Sequence, residues 1–208
     1  MRPDLVPSTL TPSVWAMGQF CANAGPKVCV DLGGGISDIT AIKPSTANEY
    51  VLIIDCNFEL LVRGRPHRPM SRMAQANADA LRCPLATSSV DLLIMQGLLT
   101  TLSETNLQNR VAEEAARILK LGGMLYISDF LVNEHLKYYA QRYDQDKAGV
   151  FSVYDETGSL LYNAKHWRRE ELIELFSKNF SLHGINERQV NTRSNRTING
   201  IELILLHT

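Results

Sequence analysis

Short, mostly apolar runs alternate with amphipathic stretches along the first two thirds of the chain. The apolar runs are VCVDL, YVLIID, AQANAD, VDLLIM and GMLYISDF, at residues 28–32, 50–55, 74–79, 90–95 and 123–130. Runs of this length that are apolar on both faces are typical of parallel strands covered by helices on each side. The pattern therefore predicts an α/β fold with a doubly wound, mostly parallel sheet.

Amphipathic segments supply the predicted helices. The best supported of them covers residues 106–120, with Asn106 as its N-cap and Gly122 and Gly123 as its stop. Ahead of the first strand, residues 11–25 predict another helix, with Thr11 as N-cap and a proline in its first turn. That first helix is either core packing or a lid.

The pattern changes after residue 130. Residues 131–149 predict a helix, and residues 150–163 predict two short strands joined through a turn at 155–158. Residues 167–180 are amphipathic, with acids early and a lysine late, as a helix favours. Two further strand patterns flank a polar, turn-rich link, which predicts an antiparallel pair at the C-terminus.

Composition narrows the class of protein. With 208 residues and 45% apolar composition, the chain can bury one substantial core, and we expect a single globular unit. The 21 Lys and Arg nearly balance 22 Asp and Glu, so no overall field draws the protein to nucleic acid or to a membrane. A local exception is the arginine-rich loop, residues 63–72, but no aromatic side chains interleave it as stacking platforms. A solvated loop is therefore favoured there over a nucleic-acid surface.

Cysteine usage and the N-terminus bear on location. The four cysteines, Cys21, Cys29, Cys56 and Cys83, form no CxxC pair and have no histidine at metal-ligand spacing, so no metal site is expected. Free thiols fit a reducing cytosol. The first residues carry prolines and an acid where a signal peptide needs an apolar core, and no run is long enough to span a membrane. We therefore expect a cytoplasmic protein.

The strongest chemical signal is KVCVDLGGGISD, residues 27–38, where a strand runs into an acid and three glycines. In an α/β sheet the first strand-to-helix turn is the usual place for a ligand-binding glycine loop. Gly33 and Gly35 lack the Cβ atoms that keep a ligand away, and Asp31 can accept from a hydroxyl or an amine. Asp38 occupies the sixth position of a GxGxxG loop, which argues against NAD. A tight turn with no ligand is the alternative.

The second strand adds independent support. It ends in Asp55, 24 residues after Asp31, about where a Rossmann-like fold places the acid that binds ribose hydroxyls. Such an acid can equally cap the following helix. The glycine-rich turn beside it favours ribose.

Together these segments resemble the motifs of class I S-adenosylmethionine-dependent methyltransferases. VDLGGGISD resembles the family's first motif, with Ser37 in the third glycine position, and VLIID resembles the second. NADALRCPLATSSVDLLIMQGLL is similar to the third and fourth motifs, and ARILKLGGMLYISDF to the segment after them, with Leu121 where proline is common. The resemblance implies a Rossmann-like, seven-stranded sheet that is mostly parallel, with a C-terminal antiparallel strand pair and helices on both faces.

The resemblance also implies how one methyltransferase-fold domain over residues 1–208 is divided. Residues 1–26 form an N-terminal helical segment and residues 27–130 the cofactor-binding half. Residues 131–167 are the expected acceptor-binding insertion, and residues 168–208 hold the last helix and the antiparallel strand pair.

The implied cofactor is S-adenosylmethionine, with S-adenosylhomocysteine as product. The glycine turn and Asp31 would hold its methionine end, and Asp55 would bind the ribose hydroxyls. Asp79 would accept from the adenine N6 amine, with Ala80 and Leu81 lining the base, although a helix cap or loop acid is the alternative. The expected cofactor-binding residues are Asp31, Gly33, Gly34, Gly35, Asp55, Cys56, Asp79, Ala80, Leu81 and Gln96; Cys56 would lie under the adenine, or simply pack.

The residues after the fourth strand bear on the methyl acceptor. Enzymes that methylate DNA bases or glutamine amides resemble one another in an Asn/Asp-Pro-Pro-Tyr/Phe motif there, whereas this chain has Met95, Gln96, Gly97 and Leu98. Nucleic acid is therefore an unlikely acceptor. The insertion is rich in aromatics, which form either an acceptor pocket or core and hairpin packing. Tyr138, Tyr143, Tyr154 and Trp167 are the expected acceptor-binding residues, and His166 is the expected general base, against a helix-entry or surface histidine.

We therefore expect methyl transfer from S-adenosylmethionine to an oxygen or nitrogen atom of a small molecule, by in-line displacement. One alternative is a binding protein that keeps the fold without transferring a methyl group. Another is a methyltransferase acting on protein or RNA through the arginine-rich loop. An NAD-dependent oxidoreductase comes last, because the third loop glycine is absent.

Overall fold

The computed structural model describes residues 10–21, 28–36, 49–64, 73–192 and 196–208, with Cys21 described by its backbone alone. Its strands are β1 Val28–Leu32, β2 Tyr50–Asp55, β3 Met73–Asn77, β4 Val90–Gln96, β5 Leu119–Phe130, β6 Val150–Tyr154, β7 Leu160–Lys165, β8 Phe180–Asn191 and β9 Thr197–His207. Its helices are α1 Val14–Cys21, α2 Phe58–Gly64, α3 Thr105–Ile118, α4 Lys137–Ala140 and α5 Arg169–Phe176, and a 3-10 turn covers Leu99–Thr101.

Seven strands form one sheet, in the order β3-β2-β1-β4-β5-β9-β8. The strands β1 to β5 pair in parallel, whereas β9 runs antiparallel to both of its neighbours, β5 and β8. The predicted mostly parallel sheet with a terminal antiparallel pair is confirmed. Strand order reverses between β1 and β4, and ligands of such sheets bind outside the carboxyl ends of the strands at that reversal.

Helices cover both faces of the sheet. On one face α3 and α5 contribute Val111 and Phe176 to the larger core cluster, and on the other α1 and α2 contribute Phe20 and Leu61. Successive strand residues point to opposite faces, so both sets of side chains are buried. This double burial explains why the central strands are almost continuously apolar in sequence.

The first helix is core packing. It begins at Val14, later than expected, and the Oγ of Ser13 rather than Thr11 accepts a hydrogen bond from the Ala16 amide, at 3.3 Å. Phe20 packs edge-on against Tyr126 of β5, with 5.3 Å between the ring centroids.

The helix predicted at residues 106–120 is α3, but its expected caps are wrong. Glu104 rather than Asn106 holds the N-cap position. The helix ends at Ile118, and Gly122 lies inside β5, where it takes a φ of +72°. The pairing of β4 with β5 shifts register between Val90 and Leu92. The two glycines therefore permit an irregularity in a strand rather than stopping a helix.

The long helix predicted over residues 131–149 is wrong. Within this fully described stretch the α-helix is limited to α4, a single turn. Leu131 bridges to Trp167, and the amide of Asn199 in β9 donates to the buried Asn133 Oδ1 at 2.9 Å. These contacts with distant parts of the chain fix residues 131–133, and turns rather than a continuous helix follow, so tertiary structure overrides local helix propensity.

The remaining C-terminal predictions are confirmed. Strands β6 and β7 form a hairpin, α5 follows, and β8 pairs with β9 at the edge of the large sheet. Of the arginine-rich loop, residues 65–72 lie outside the described residues, and Arg63 is exposed at the end of α2. The helices in the described parts of the chain are all too short or too polar to cross a membrane.

Candidate active site

The glycine turn lies at the carboxyl end of β1, beside the strand-order reversal. The amides of Gly33 and Gly34 donate to the Ile54 carbonyl of β2, at 2.8 and 3.2 Å. Gly33 and Gly35 have φ values of +76° and +42°, in the region that favours glycine. A Cβ on Gly34 would overlap the Asp31 carboxylate and the Ile53 side chain. The sequence at this turn is therefore dictated by close packing as well as by backbone conformation.

Asp31 lies beneath the glycine turn rather than on an open surface. The residue is fully buried within β1, and its carboxylate lies against the Gly34 backbone. Burial, followed by the charge of Asp31, raises the pKa of the neighbouring Cys29 thiol, so that thiol stays protonated. Asp31 therefore supports the turn from below.

Asp55 joins the glycine turn to the start of α2. Its Oδ2 accepts from the Gly35 amide at 2.9 Å, and its Oδ1 accepts from the Asn57 amide at 2.7 Å. Capping of the following helix and binding of ribose are thus compatible roles for Asp55, because one carboxylate contacts both the glycine turn and the start of α2. Each carboxylate oxygen has a second lone pair, so the group retains acceptor capacity for a pair of hydroxyls.

Asp79 lies in the turn that follows β3. Its Oδ1 accepts from the Leu81 amide at 2.9 Å, so the carboxylate shapes the turn as the loop-acid alternative requires. The preceding residue is attached to Asp55, since the Ala78 amide donates to the Asp55 carbonyl at 3.1 Å. Asp55 and Asp79 therefore lie at the same end of neighbouring strands. Cys56 is exposed beside them.

Gln96 ends β4, next to β1 across the reversal. Its Nε2 is buried and has no hydrogen-bond partner among the residues that the structure describes. The following residues close the space around the turn: Leu98 Cδ1 lies 2.9 Å from where a Gly33 Cβ would stand, and Leu10 contacts Gly97. A buried amide donor without a partner is costly, so this position suits a ligand acceptor.

A buried polar cluster links β4, β5 and the hairpin, and the sequence analysis did not identify it. The Asp129 carboxylate accepts from the amides of Thr100 and Phe130, at 3.1 and 2.8 Å, and contacts the Thr100 hydroxyl. The same hydroxyl lies 2.9 Å from the Lys165 carbonyl of β7. One hydroxyl proton cannot serve two acceptors, so both contacts of the Thr100 hydroxyl are hydrogen bonds only when Asp129 itself carries a proton.

Burial raises the pKa of Asp129 to about 6, although its hydrogen bonds oppose the shift. A carboxyl whose pKa is raised by folding stabilises the fold fully below its unfolded pKa and loses that contribution as pH rises through 6. The difference corresponds to about 3 kcal/mol.

Asp129→Asn removes this titration. We expect the free energy of unfolding of the variant, relative to wild type, to improve by about 2–2.5 kcal/mol between pH 4 and pH 7.5, because asparagine stays neutral throughout. Urea denaturation at four pH values across that range measures the difference. If the free energy of unfolding depended on pH in the same way in both proteins, the pKa of Asp129 would not be raised by burial.

His166 lies inside an aromatic cluster instead of facing an open cleft. It is 2% exposed, and the rings of Phe130, Tyr139 and Phe151 surround it at centroid distances of 5.6, 4.8 and 4.7 Å. Its Nδ1 lies 2.8 Å from the Tyr143 hydroxyl, which also accepts from a backbone amide. Burial lowers the pKa of His166 to about 3. The imidazole is therefore neutral and embedded, which favours a packing role.

The four expected acceptor-binding residues fall into different surroundings. Tyr143 packs around His166, and Trp167 is 1% exposed in the core under α5. Tyr138 is partly exposed, with the Arg196 guanidinium 3.8 Å from its ring centroid. Tyr154 is exposed on the hairpin. The structure thus brings the expected cofactor-binding residues together at the carboxyl ends of the strands. The expected acceptor-binding residues are divided between core and surface.

Several buried polar contacts have only weak signals in the sequence. Asp129 and Glu202 are acids within apolar strand runs, YISDF and IELILL, where a charge must have a buried partner. Glu114 and Arg117 stand three apart on α3 and look like an ordinary helix-surface pair. The sequence does not indicate which distant residues these side chains contact.

Comparisons with known proteins agree with this geometry. The family described as "Methyltransferase domain" matches residues 30–127, which run from β1 to β5 and include the glycine turn, Asp55, Asp79 and Gln96. A search among curated proteins finds no match to the sequence.

Solved structures share the whole fold. A SAM-dependent methyltransferase from Methanosarcina mazei is 25% identical, with a TM-score of 0.77 over 86% of this chain and 92% of that one. The N-methyltransferase NodS of Bradyrhizobium japonicum WM9, crystallised with S-adenosyl-L-homocysteine, is 13% identical, with a TM-score of 0.60 over 92% and 83%. The 1,6-didemethyltoxoflavin-N1-methyltransferase of Burkholderia thailandensis, with its namesake ligand and S-adenosylhomocysteine bound, is 16% identical, with a TM-score of 0.63 over 94% and 77%.

Proposed function

Since this chain is a class I S-adenosylmethionine-dependent methyltransferase, we propose that its methyl acceptor is a small organic molecule, methylated at an oxygen or nitrogen atom. The cofactor supplies a methyl group already activated on a sulfonium. The protein's contribution is then to align the acceptor with that methyl group and to exclude water.

The observation that carries the proposal is the position of residues 131–167. Their hairpin is fastened to the carboxyl ends of β4 and β5 through the Thr100 contact with Lys165 and through the Trp167 amide, which donates to Phe130 at 2.9 Å. Around it Leu10, Tyr139, Phe151, Val190 and Ile198 form a separate apolar cluster. A compact, aromatic cluster at the same end of the parallel strands as the glycine turn suits a small acceptor better than an extended polymer.

The charge of the insertion supports the same choice. Acids and bases nearly balance over residues 131–167. Glu134 pairs with Arg168 at 3.5 Å, and Asp144 and Asp155 cap their own turns. A surface that follows a nucleic-acid backbone needs an unbalanced run of cations. A balanced insertion offers no such attraction.

The cofactor-binding assignment follows from the fit of the residues present. The glycine turn lies beside Asp55 at the carboxyl ends of the strands, and Asp55 retains lone pairs for ribose hydroxyls. Asp79, Ala80 and Leu81 lie where the adenine would extend along the strand ends. The Gln96 amide would donate to the methionine end, which would satisfy the buried Nε2. Asp31 acts beneath the turn, so we assign it a supporting role.

No general base is required by this proposal. His166 is enclosed and its pKa is lowered to about 3 by burial, so a proton taken from an acceptor would place a charge among aromatic rings. We assign His166, with Tyr143, to holding the insertion together. Alignment and solvent exclusion then carry the transfer, and Tyr138 and Tyr154 remain the candidates for acceptor contact.

A labelling experiment tests the acceptor class. The purified enzyme is incubated with S-adenosylmethionine labelled in its methyl group and with an extract of its native cells, and the products are separated by ultrafiltration. We expect the label in the filtrate of small molecules, dependent on active enzyme. Asp55→Ala serves as the matched control: with the labelled cofactor near the wild-type dissociation constant, its weaker binding should strongly reduce the labelling.

Label retained with protein or RNA would overturn the small-molecule proposal while leaving methyl transfer intact. Binding of S-adenosylmethionine with no labelling of any fraction would favour the alternative of a binding protein. These outcomes are distinct, so the experiment separates the acceptor class from the activity itself.

A further inference from the structure

The turn after β3 is fastened to α3 by an ion pair. Glu114 Oε1 accepts from the Cys83 amide at 2.6 Å. Arg117 donates to the carbonyls of Cys83 and Leu85, at 3.1 and 2.8 Å. The two side chains also bind each other in a fork, at 2.8 and 2.7 Å. Three backbone groups of the turn are thus held by one bidentate pair.

The burial of Glu114 distinguishes this pair from an ordinary helix-surface contact, although the Arg117 side chain is 36% exposed. Glu114 is 8% exposed, although an isolated pair spaced three residues apart on a helix normally faces water. The hydrogen bond from Arg117, opposed by burial, lowers the pKa of Glu114, so the carboxylate is ionised at neutral pH. The charge-assisted bonds to the turn are therefore permanent under ordinary conditions.

The same turn is fastened at its other end by the ribose acid. The Ala78 amide donates to the Asp55 carbonyl at 3.1 Å. Between the two attachments the Asp79 carboxylate accepts from the Leu81 amide, and the Asp79 carbonyl accepts from the Arg82 amide at 3.1 Å. The expected adenine-binding acid thus stands on a short turn held at both ends.

We propose that Glu114 and Arg117 are positioning residues that give the cofactor site its preference for a 6-aminopurine over a 6-oxopurine. The inference rests on the role proposed above for Asp79, and it is independent of the methyl acceptor. Neither side chain touches the cofactor; both act by holding the turn that carries the acid.

The chemistry of the base explains why position matters. Adenine presents an amine at C6, which donates to a carboxylate, whereas hypoxanthine presents a carbonyl there, which the carboxylate repels. That discrimination requires the carboxylate to stay within hydrogen-bond distance and angle of the base edge. A turn released from α3 can move away, so it would lose discrimination before it lost the apolar contacts with the base.

The test compares S-adenosylhomocysteine with S-inosylhomocysteine as calorimetric ligands. The variants are Glu114→Gln and Arg117→Met, with Arg117→Lys as a milder change that keeps the charge but loses the fork. Asp91→Asn is the matched control. Asp91 also accepts a backbone amide and a basic side chain, from Val28 and Lys120 at 2.8 and 2.7 Å, but at the opposite end of the strands.

We expect wild type and Asp91→Asn to prefer the adenosyl ligand by about tenfold or more, the effect of one hydrogen bond to a charged group. In Glu114→Gln, Arg117→Met and Arg117→Lys the ratio of the two affinities should fall toward one, with a smaller loss of affinity for either ligand. If Glu114 and Arg117 only stabilised the fold, substituting them would lower the melting temperature, as Asp91→Asn should, without changing the affinity ratio.

An unchanged ratio in folded Glu114→Gln and Arg117→Lys would overturn the inference. Asp79→Asn then identifies the failed step. If Asp79→Asn abolishes the preference for the adenosyl ligand while the Glu114 and Arg117 variants keep it, positioning by α3 is excluded and Asp79 keeps its proposed role at the adenine. If Asp79→Asn also keeps the preference, the assignment of Asp79 itself is wrong. Because no acceptor is used, neither result bears on the proposed small-molecule substrate.

Discussion

Asp55→Ala is expected to weaken the binding of S-adenosylmethionine and S-adenosylhomocysteine by about 10- to 100-fold, corresponding to about 1.5–3 kcal/mol. The carboxylate is the proposed acceptor for the ribose hydroxyls. It also accepts from the Gly35 amide, so its removal should loosen the glycine turn, which is proposed to hold the methionine end. Both effects act in the same direction.

Calorimetric titration of wild type, Asp55→Ala and Asp55→Asn measures the loss. Asn keeps the shape of the side chain but replaces one acceptor oxygen with a donor, so its affinity should fall nearly as far. Asp91→Asn, at the opposite end of the strands, should bind as wild type does. Wild-type affinity in both Asp55 variants would remove this residue from the cofactor site.

Glu202→Gln is expected to lower the free energy of unfolding by about 3–5 kcal/mol, the effect of breaking a buried ionic network from one side. Glu202 is fully buried on β9. It accepts from the amide and hydroxyl of Ser13, at 2.8 and 2.6 Å, and from Tyr126 and Asn186, both at 2.7 Å. The Arg188 guanidinium lies 3.4 Å away. Glutamine would leave that cation unpaired and turn an amide donor toward other donors.

The effect of pH on this contribution has a definite sign. Burial alone would raise the pKa of Glu202, but the hydrogen bonds from Ser13, Tyr126 and Asn186 lower it overall. A carboxylate with a lowered pKa stabilises the fold above its unfolded pKa, and that contribution is lost as pH falls through the folded pKa. The difference between wild type and Glu202→Gln should therefore shrink in acid.

Chemical denaturation at pH 7.5 and in acid tests both statements. Glu187→Gln is the matched control, because Glu187 is exposed on β8 and only pairs with Arg169 at 3.4 Å; its loss should cost less than about 1 kcal/mol. A melting temperature of Glu202→Gln equal to that of Glu187→Gln would show that Ser13 and α1 are held by packing alone.

The cofactor half of the protein could be predicted because its signals are local. Double burial makes the strands apolar on both faces, and the backbone conformation of the turn demands glycine at Gly33 and Gly35. Asp55 is the last residue of β2 and Asp79 lies two residues after β3, so their common location at one end of the sheet follows from parallel pairing.

The insertion could not be predicted in the same way. Its sequence has the apolar spacing of a helix, yet Asn133 is held by Asn199, 66 residues away in the chain. Thr100 meets Asp129 and Lys165, at separations of 29 and 65 residues. Such contacts supply the hydrogen bonds that a helix would have made internally, so they decide the conformation.

By itself the sequence determined the strand succession, the glycine turn and the acids at or just beyond the ends of two strands, since each depends on neighbours in the chain. The tertiary structure decided which ionisable groups carry charge. From the sequence His166 was expected to be a general base, but it is enclosed by aromatic rings and stays neutral. Glu202 is an acid within an apolar strand, and hydrogen bonds from residues distant in the chain keep it ionised. The physical reason is that protonation depends on solvation and on partners in space, and folding brings those partners together from remote positions.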